Sequence, residues 1–139
     1  MRAGPAVYLV DTSVWVEVFR RPARFDLESV VDLEEVVTCL PVLQEVLQGF
    51  RDDRAFRVAR DALQALQMVE VPLGMAVFEQ AVDLYRLARR AGATVRSSVD
   101  CLIAVCAVRN DLTLLHHDRD FDQLARVAPF RSRDVLPRR

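Results

Sequence analysis

Four acidic side chains stand where a soluble domain normally avoids charge. Asp11 closes the apolar run 6–10, Glu45 interrupts the apolar residues of 41–47, Asp100 opens the apolar run 101–106, and Asp118 follows the run 112–115. Two like charges about 4 Å apart repel by roughly 1 kcal/mol in water and about 4 kcal/mol at an effective dielectric near 20. Carboxylates beside buried elements therefore need a compensator. If the fold gathers the four, a hard divalent cation is the natural one, because it takes oxygen ligands and favours their ionised state. A metal-dependent enzyme is the leading reading.

The 139 residues, 52% of them hydrophobic, suffice for one filled core and not two, so 1–139 reads as a single domain. A net charge of -1 gives no global pull toward nucleic acid or membrane, and any polyanion site must be local. All 19 basic residues are Arg. Without Lys, a Walker-type phosphate loop, a Schiff-base enzyme and the usual receiver domain drop out, since each needs a positioned ammonium group. Guanidinium forks suit phosphate, although genome composition explains the same bias. Cys39, Cys101 and Cys106 form no C-x-x-C pair and sit in apolar runs, as small core thiols of a reducing compartment do. No apolar run is long enough to cross a bilayer and no cleavable signal pattern opens the chain, which points to the cytoplasm and away from a membrane.

These acids need elements to position them. Residues 6–10 read as a buried strand, and Thr12-Ser13 open a helix that runs to Arg20 and stops at Arg21-Pro22. A second helix is expected over 27–35, then a strand over 36–40, then a helix with Pro41 in its first turn and Gly49 at its end. Residues 53–67 carry Phe56, Ala59, Leu63 and Leu66 at helical spacing, and 68–71 read as strand. Over 76–91, Phe78, Ala81, Val82, Tyr85 and Ala88 mark one helical face, and Gly92 ends it. Ser97 or Ser98 caps the helix that holds Asp100, 112–115 form a strand, and 121–127 a last helix. The tail 131–139 reads as basic and loosely structured. Alternating strands and helices predict an α/β fold, a three-layer α/β/α sandwich around a mainly parallel sheet. Ligands of such sheets bind beyond the strands' carboxyl ends, and that rim receives all four acids.

In this order, the segments 10–15, 43–50, 100–104 and 114–121 resemble the PIN-domain nucleases, and closely the VapC-type toxins of type II toxin-antitoxin systems. The resemblance spans about Val7 to Val127. It implies that Asp11, Glu45, Asp100 and Asp118 bind Mg²⁺ or Mn²⁺ and direct water at an RNA phosphodiester. Thr12 or Ser13 matches the hydroxyl that holds the pocket, and Asp120 matches an accessory acid. His116 departs from the pattern, because many relatives carry Thr or Ser there. The resemblance further implies an endoribonuclease that cuts structured RNA, tRNA or rRNA, to block translation. It also implies a homodimer and a cognate VapB-type antitoxin that occludes the site.

Each residue also has a local reading. Asp11 reads as a helix cap, Asp100 as a complement to a helix dipole, Asp118 with Asp120 as a cap of the last helix, and Glu45 as a solvated edge. His116 and His117, adjacent after a strand, point in opposite directions, so at most one faces the pocket. Arg96 and Arg119, beside the acids, are candidates to hold backbone phosphates. Trp15, Val16 and Phe19 are core residues on the simplest reading, and a partner groove on the family's. Two rival functions are a catalytically silent RNA- or protein-binding module and a haloacid-dehalogenase-like phosphatase. The phosphatase wants a second Asp two residues after Asp11, where the chain has Ser13.

Overall fold

The computed structural model describes residues 7–136. Within them the strands are β1 (Tyr8–Val10), β2 (Val36–Thr38), β3 (Gln67–Met68), β4 (Thr113–His116) and β5 (Arg131–Asp134). The helices are α1 (Thr12–Phe19), α2 (Leu40–Gln48), α3 (Asp53–Gln64), α4 (Met75–Arg90), α5 (Ser98–Arg109) and α6 (Arg119–Ala125). The sheet order is β3-β2-β1-β4-β5 and every pairing is parallel. Successive strand residues face opposite ways. Leu9 and Val10 on β1 and Leu114 and Leu115 on β4 are all fully buried, so helices cover both faces in three layers.

Parallel strands end on one rim, and the chain leaves that rim through helices whose first turns stay near it. Asp11 follows β1 directly, and its amide donates to the Leu115 carbonyl at 2.9 Å, tying the exits of β1 and β4 together. Cys39 precedes α2, with Pro41 in the first turn where no amide bond is lost, and Gly49 caps the far end. α5 is buried nearly all round, from Asp100 and Cys101 to Ala107. Residue 6 and residues 137–139, parts of the expected first strand and tail, lie outside the described residues.

Three expectations are corrected. The helix over 27–35 is two separate 3-10 turns, Leu27–Ser29 and Leu33–Glu35, parted at Val30 and Val31. β-branched residues disfavour helix, and Asp26 caps only the first turn, so neither turn propagates. The start of the tail is not loose: Arg131–Asp134 pairs with all four residues of β4. On α4 the buried residues are Val77, Ala81, Leu84 and Ala88, while Phe78 and Val82 are exposed at 47% and 57%. Two apolar stripes overlap on this helix, and the one with small Ala residues fits against α5.

Gly92, with φ +76°, takes the left-handed conformation that lets the chain reverse after α4 and return along α5. Its neighbour Ala93 donates to the Ala88 carbonyl at 2.9 Å. The far end of the pair is tied by Arg109, which donates to Glu70 at 2.8 Å. The hairpin therefore sets the end of α4 and the start of α5, with Asp100, on the same rim.

Candidate functional site

Two overlapping groups of acids occupy the rim. Oxygens of Asp11, Glu45 and Asp100 lie within 4.8 Å of one another, and so do those of Asp100, Asp118 and Asp120. Asp100 belongs to both. Asp11 is 2% exposed and Asp100 5%, deep enough for desolvation to dominate their behaviour.

Each acid is aimed by a neighbour. Asp11 caps α1: its Oδ2 accepts from the Ser13 amide at 3.0 Å and from the Ser13 hydroxyl at 2.5 Å. Ser13 Oγ in turn accepts from the His117 amide at 2.9 Å, so one hydroxyl fixes Asp11 against the exit of β4. Thr12 donates its hydroxyl to Glu45 Oε1 at 2.9 Å and links α1 to α2. Asp118 caps α6, accepting from the Asp120 amide at 2.9 Å. The cap readings and the cluster reading describe the same side chains, because a cap at the end of a strand also faces the rim.

Asp120 is buried by the chain that enters α5. Its Oδ2 accepts from the amides of Arg96 at 2.9 Å and Ser97 at 3.3 Å, and the Arg96 guanidinium donates to Asp120 Oδ1 and Asp118 Oδ1 at 3.2 Å each. Arg96, expected to meet phosphate, is thus the internal counter-ion of two site acids. Arg119 is exposed and, among the described residues, forms no ion pair. The ring of His116 is buried beside Phe121 and accepts from the Asp118 amide at Nδ1, 3.2 Å away. That contact leaves its ring N–H at Nε2, 3.8 Å from Asp122. His117 turns the other way, 3.0 Å from Asp134 on β5. The roles of Asp122 and Asp134 were missed in the sequence, and Asp134 had no signal because its segment read as tail.

Burial, together with Glu45 and against the Ser13 hydrogen bonds, pushes Asp11 up to about 6. Burial also raises Asp100, to about 9, aided by its hydrogen bond to Asp120 and by the charges of Asp11, Asp118 and Asp120. Burial would raise Asp120 too, but the bonds from Asp100 and Arg96 hold it below the usual carboxylate range. The two shifts run in opposite directions, with the proton favoured on Asp100 and the charge on Asp120.

Asp11 Oδ1 and Asp100 Oδ2 are buried oxygens with no hydrogen-bond partner among the described residues. Orphaned buried carboxylate oxygens are costly. Both belong to the same three-acid group, whose donor set is all oxygen, which fits a hard divalent cation better than a soft one.

A parallel-sheet domain with acids gathered on one rim defines the class, and sequence comparison places the chain within it. The PIN-domain family profile matches residues 8–127, and the chain belongs to that family. It is 38% identical over 124 residues to ribonuclease VapC11 of Mycobacterium tuberculosis, covering 86% of this chain and 92% of that one. Its fold is similar to that of the DNA-bound VapBC of Salmonella typhimurium, with a TM-score of 0.74, 15% identity and coverage of 94% and 98%. It is also similar to VapBC-5 of Mycobacterium tuberculosis, described as a member of the VapBC family of toxin-antitoxin systems. There the TM-score is 0.69, the identity 22% and the coverage 92% and 98%.

Proposed function

We propose that the protein is a VapC-type toxin: a divalent-metal-dependent endoribonuclease that cleaves structured RNA and is neutralised by a cognate antitoxin. The pair of orphaned oxygens on Asp11 and Asp100, inside an all-oxygen donor set, carries the reading. Asp11, Glu45, Asp100 and Asp118 would hold Mg²⁺ or Mn²⁺. A cation so held supplies a lowered water pKa and neutralises charge on the phosphate.

The protein's own groups prepare that chemistry. Ser13 and Thr12 orient Asp11 and Glu45 before substrate arrives, so little reorganisation is left for the reaction. Asp100, raised by burial, would hold the cation as a carboxylate, the metal charge taking the place of its proton. Arg96 and Asp120 hold Asp118 at a fixed distance from Asp100.

Beside Glu45 runs a groove of about 180 Å³ lined by Val16, Phe19, Arg20, Val46, Gly49 and Phe50. Phe19 stacks on Trp15 and meets Phe50 edge-on, giving a firm apolar floor next to an acid. An antitoxin segment with an apolar anchor and a basic residue fits such a groove and would block the site. Trp15 is core, while Val16 at 45% exposure belongs to the groove. The exposed stripe Met75, Phe78 and Val82 on α4 is the surface we assign to a homodimer. The three free, buried cysteines suit a reducing cytoplasm, and among the described residues no helix is long and apolar enough to cross a membrane.

A silent binding module has no use for unpartnered buried acids, which only destabilise it. Asp100→Asn tests the enzyme directly. With total cellular RNA and Mg²⁺ or Mn²⁺, wild type should generate discrete new 5′ ends and the folded variant should not. The loss should be on the order of a thousandfold, several kcal/mol of transition-state charge stabilisation at about 1.4 kcal/mol per decade. A folded variant that cleaves like wild type would remove Asp100 from the site.

A further inference from the structure

α4 ends in three arginines that nothing described so far uses. Arg86, Arg89 and Arg90 are exposed and border a surface cleft of about 350 Å³. Among the described residues, no carboxylate pairs with any of them. Arg90 instead turns its Nε back to the Arg86 backbone carbonyl, 3.5 Å away, which lays its side chain along the preceding turn. Arg86 lies three and four residues before the other two, so all share one side of the helix and repel one another. The helix dipole accounts for a cation in the last turn, and Arg89 and Arg90 lie there. It does not account for Arg86, a full turn earlier.

Position supplies the purpose. Only five residues lie between Arg90 and Arg96, six steps with a reach of at most roughly 21 Å, and the Arg96 amide is bonded to Asp120. The cluster therefore stands at the end of α4 that leads into the rim, within that reach of acids that repel a phosphate chain. Arg96, the cation bonded to the site acids, is engaged by Asp118 and Asp120. A nuclease whose net charge is -1 must draw its polyanion in with local charge. Guanidinium forks pair bidentately with phosphate oxygens, and successive phosphates relieve the mutual repulsion of the three.

We infer that Arg86, Arg89 and Arg90 form a phosphate clamp that grips the RNA backbone to one side of the scissile bond. This inference rests on the ribonuclease reading above. The clamp reads charge and spacing rather than bases, so it contributes affinity and register and leaves base preference to the loops around the acids.

The test is fluorescence anisotropy with a labelled, unstructured 20-nucleotide RNA in EDTA, where no cleavage occurs, over a range of salt concentrations. Three phosphate contacts contribute about 2 to the slope of log affinity against log salt on a single strand. Replacing Arg86, Arg89 and Arg90 together by Gln should lower the slope by about that amount and weaken binding about tenfold or more at low salt. A second triple, Arg51, Arg54 and Arg57 to Gln on and before α3, changes net charge equally and should leave most of the slope in place. An unchanged slope in the first variant, or an equal fall in both, overturns the clamp. Wild-type protein that shows neither salt-dependent RNA binding nor cleavage overturns the ribonuclease reading and the clamp together.

Discussion

The two acid groups that share Asp100 are built differently. Asp118 and Asp120 are neutralised from within: the Arg96 guanidinium bridges them and backbone amides fill the Asp120 carboxylate. On the other side, Asp11, Glu45 and Asp100 receive hydroxyls from Ser13 and Thr12 and, among the described residues, no Arg. Of the two orphaned carboxylate oxygens, one is on Asp11 of that second side and the other on Asp100, which both sides share. A buried acid group with an Arg can stand alone, whereas one with only neutral donors stands by holding protons or a cation. The difference teaches which side lacks a built-in counter-ion and would gain more from a bound cation.

The sharpest way to break the comparison is pH. Without metal, burial pushes Asp11 up to about 6 and Asp100 up to about 9, both above the ordinary value of 3.8. For a group whose folded pKa is raised, stability is fully present below the unfolded pKa and is lost as pH rises through the folded one. In EDTA, unfolding free energy should therefore fall from pH 4 upward, by about 3 kcal/mol from Asp11 once pH exceeds 6, and further toward 9. Mg²⁺ or Mn²⁺ should flatten that decline and bind more tightly as pH rises, because binding releases the protons. Urea unfolding at pH 5, 7 and 9, with and without Mg²⁺, measures it. Stability in EDTA that is level or rising over this range contradicts the uncompensated side.

The sequence carried the four acids and their common rim but not the asymmetry between the two groups, and the limits are instructive. Asp11, Glu45, Asp100 and Asp118 were visible because each interrupts or borders an apolar run, and the alternation of strands and helices assigned them to one rim. The counter-ion was not visible. Arg96 lies 22 and 24 residues before its partners, and only the turn at Gly92 and the entry into α5 bring it to them. β5 was equally hidden, since its residues Arg-Ser-Arg-Asp have neither β-branched nor aromatic side chains. A polar edge strand is held by its ladder to β4 and by pairs such as Arg131 with Asp111 and His117 with Asp134. On α4 the sequence offered two stripes, and packing against α5 chose between them.

A second test works on the hydroxyl that substitutes for a counter-ion. Ser13 is bonded both to Asp11 and to the His117 amide, so Ser13→Ala strips a donor from a buried carboxylate and an acceptor from β4's exit. Loss of such a bond costs about 1–3 kcal/mol. The cost should be greater at pH 8 than at pH 5, because the hydroxyl steadies the ionised form of Asp11 and contributes less once the carboxyl holds its own proton. Equal destabilisation at both pH values would make Ser13 a packing residue only.

The smallest effect expected is the most discriminating. Arg96→Gln keeps the backbone amides on Asp120 and removes the charge that balances it and Asp118. If that charge is what separates the two sides, the variant's Asp118 side becomes a second uncompensated acid group. Calorimetric titration should then show tighter divalent-cation binding, by several-fold, or a second binding step missing from wild type. The arginine itself is exposed, so its removal should leave the fold intact and shift the cation isotherm alone. An isotherm that superimposes on wild type would mean that Arg96 only anchors the turn into α5, and that the asymmetry between the two groups comes from burial rather than charge.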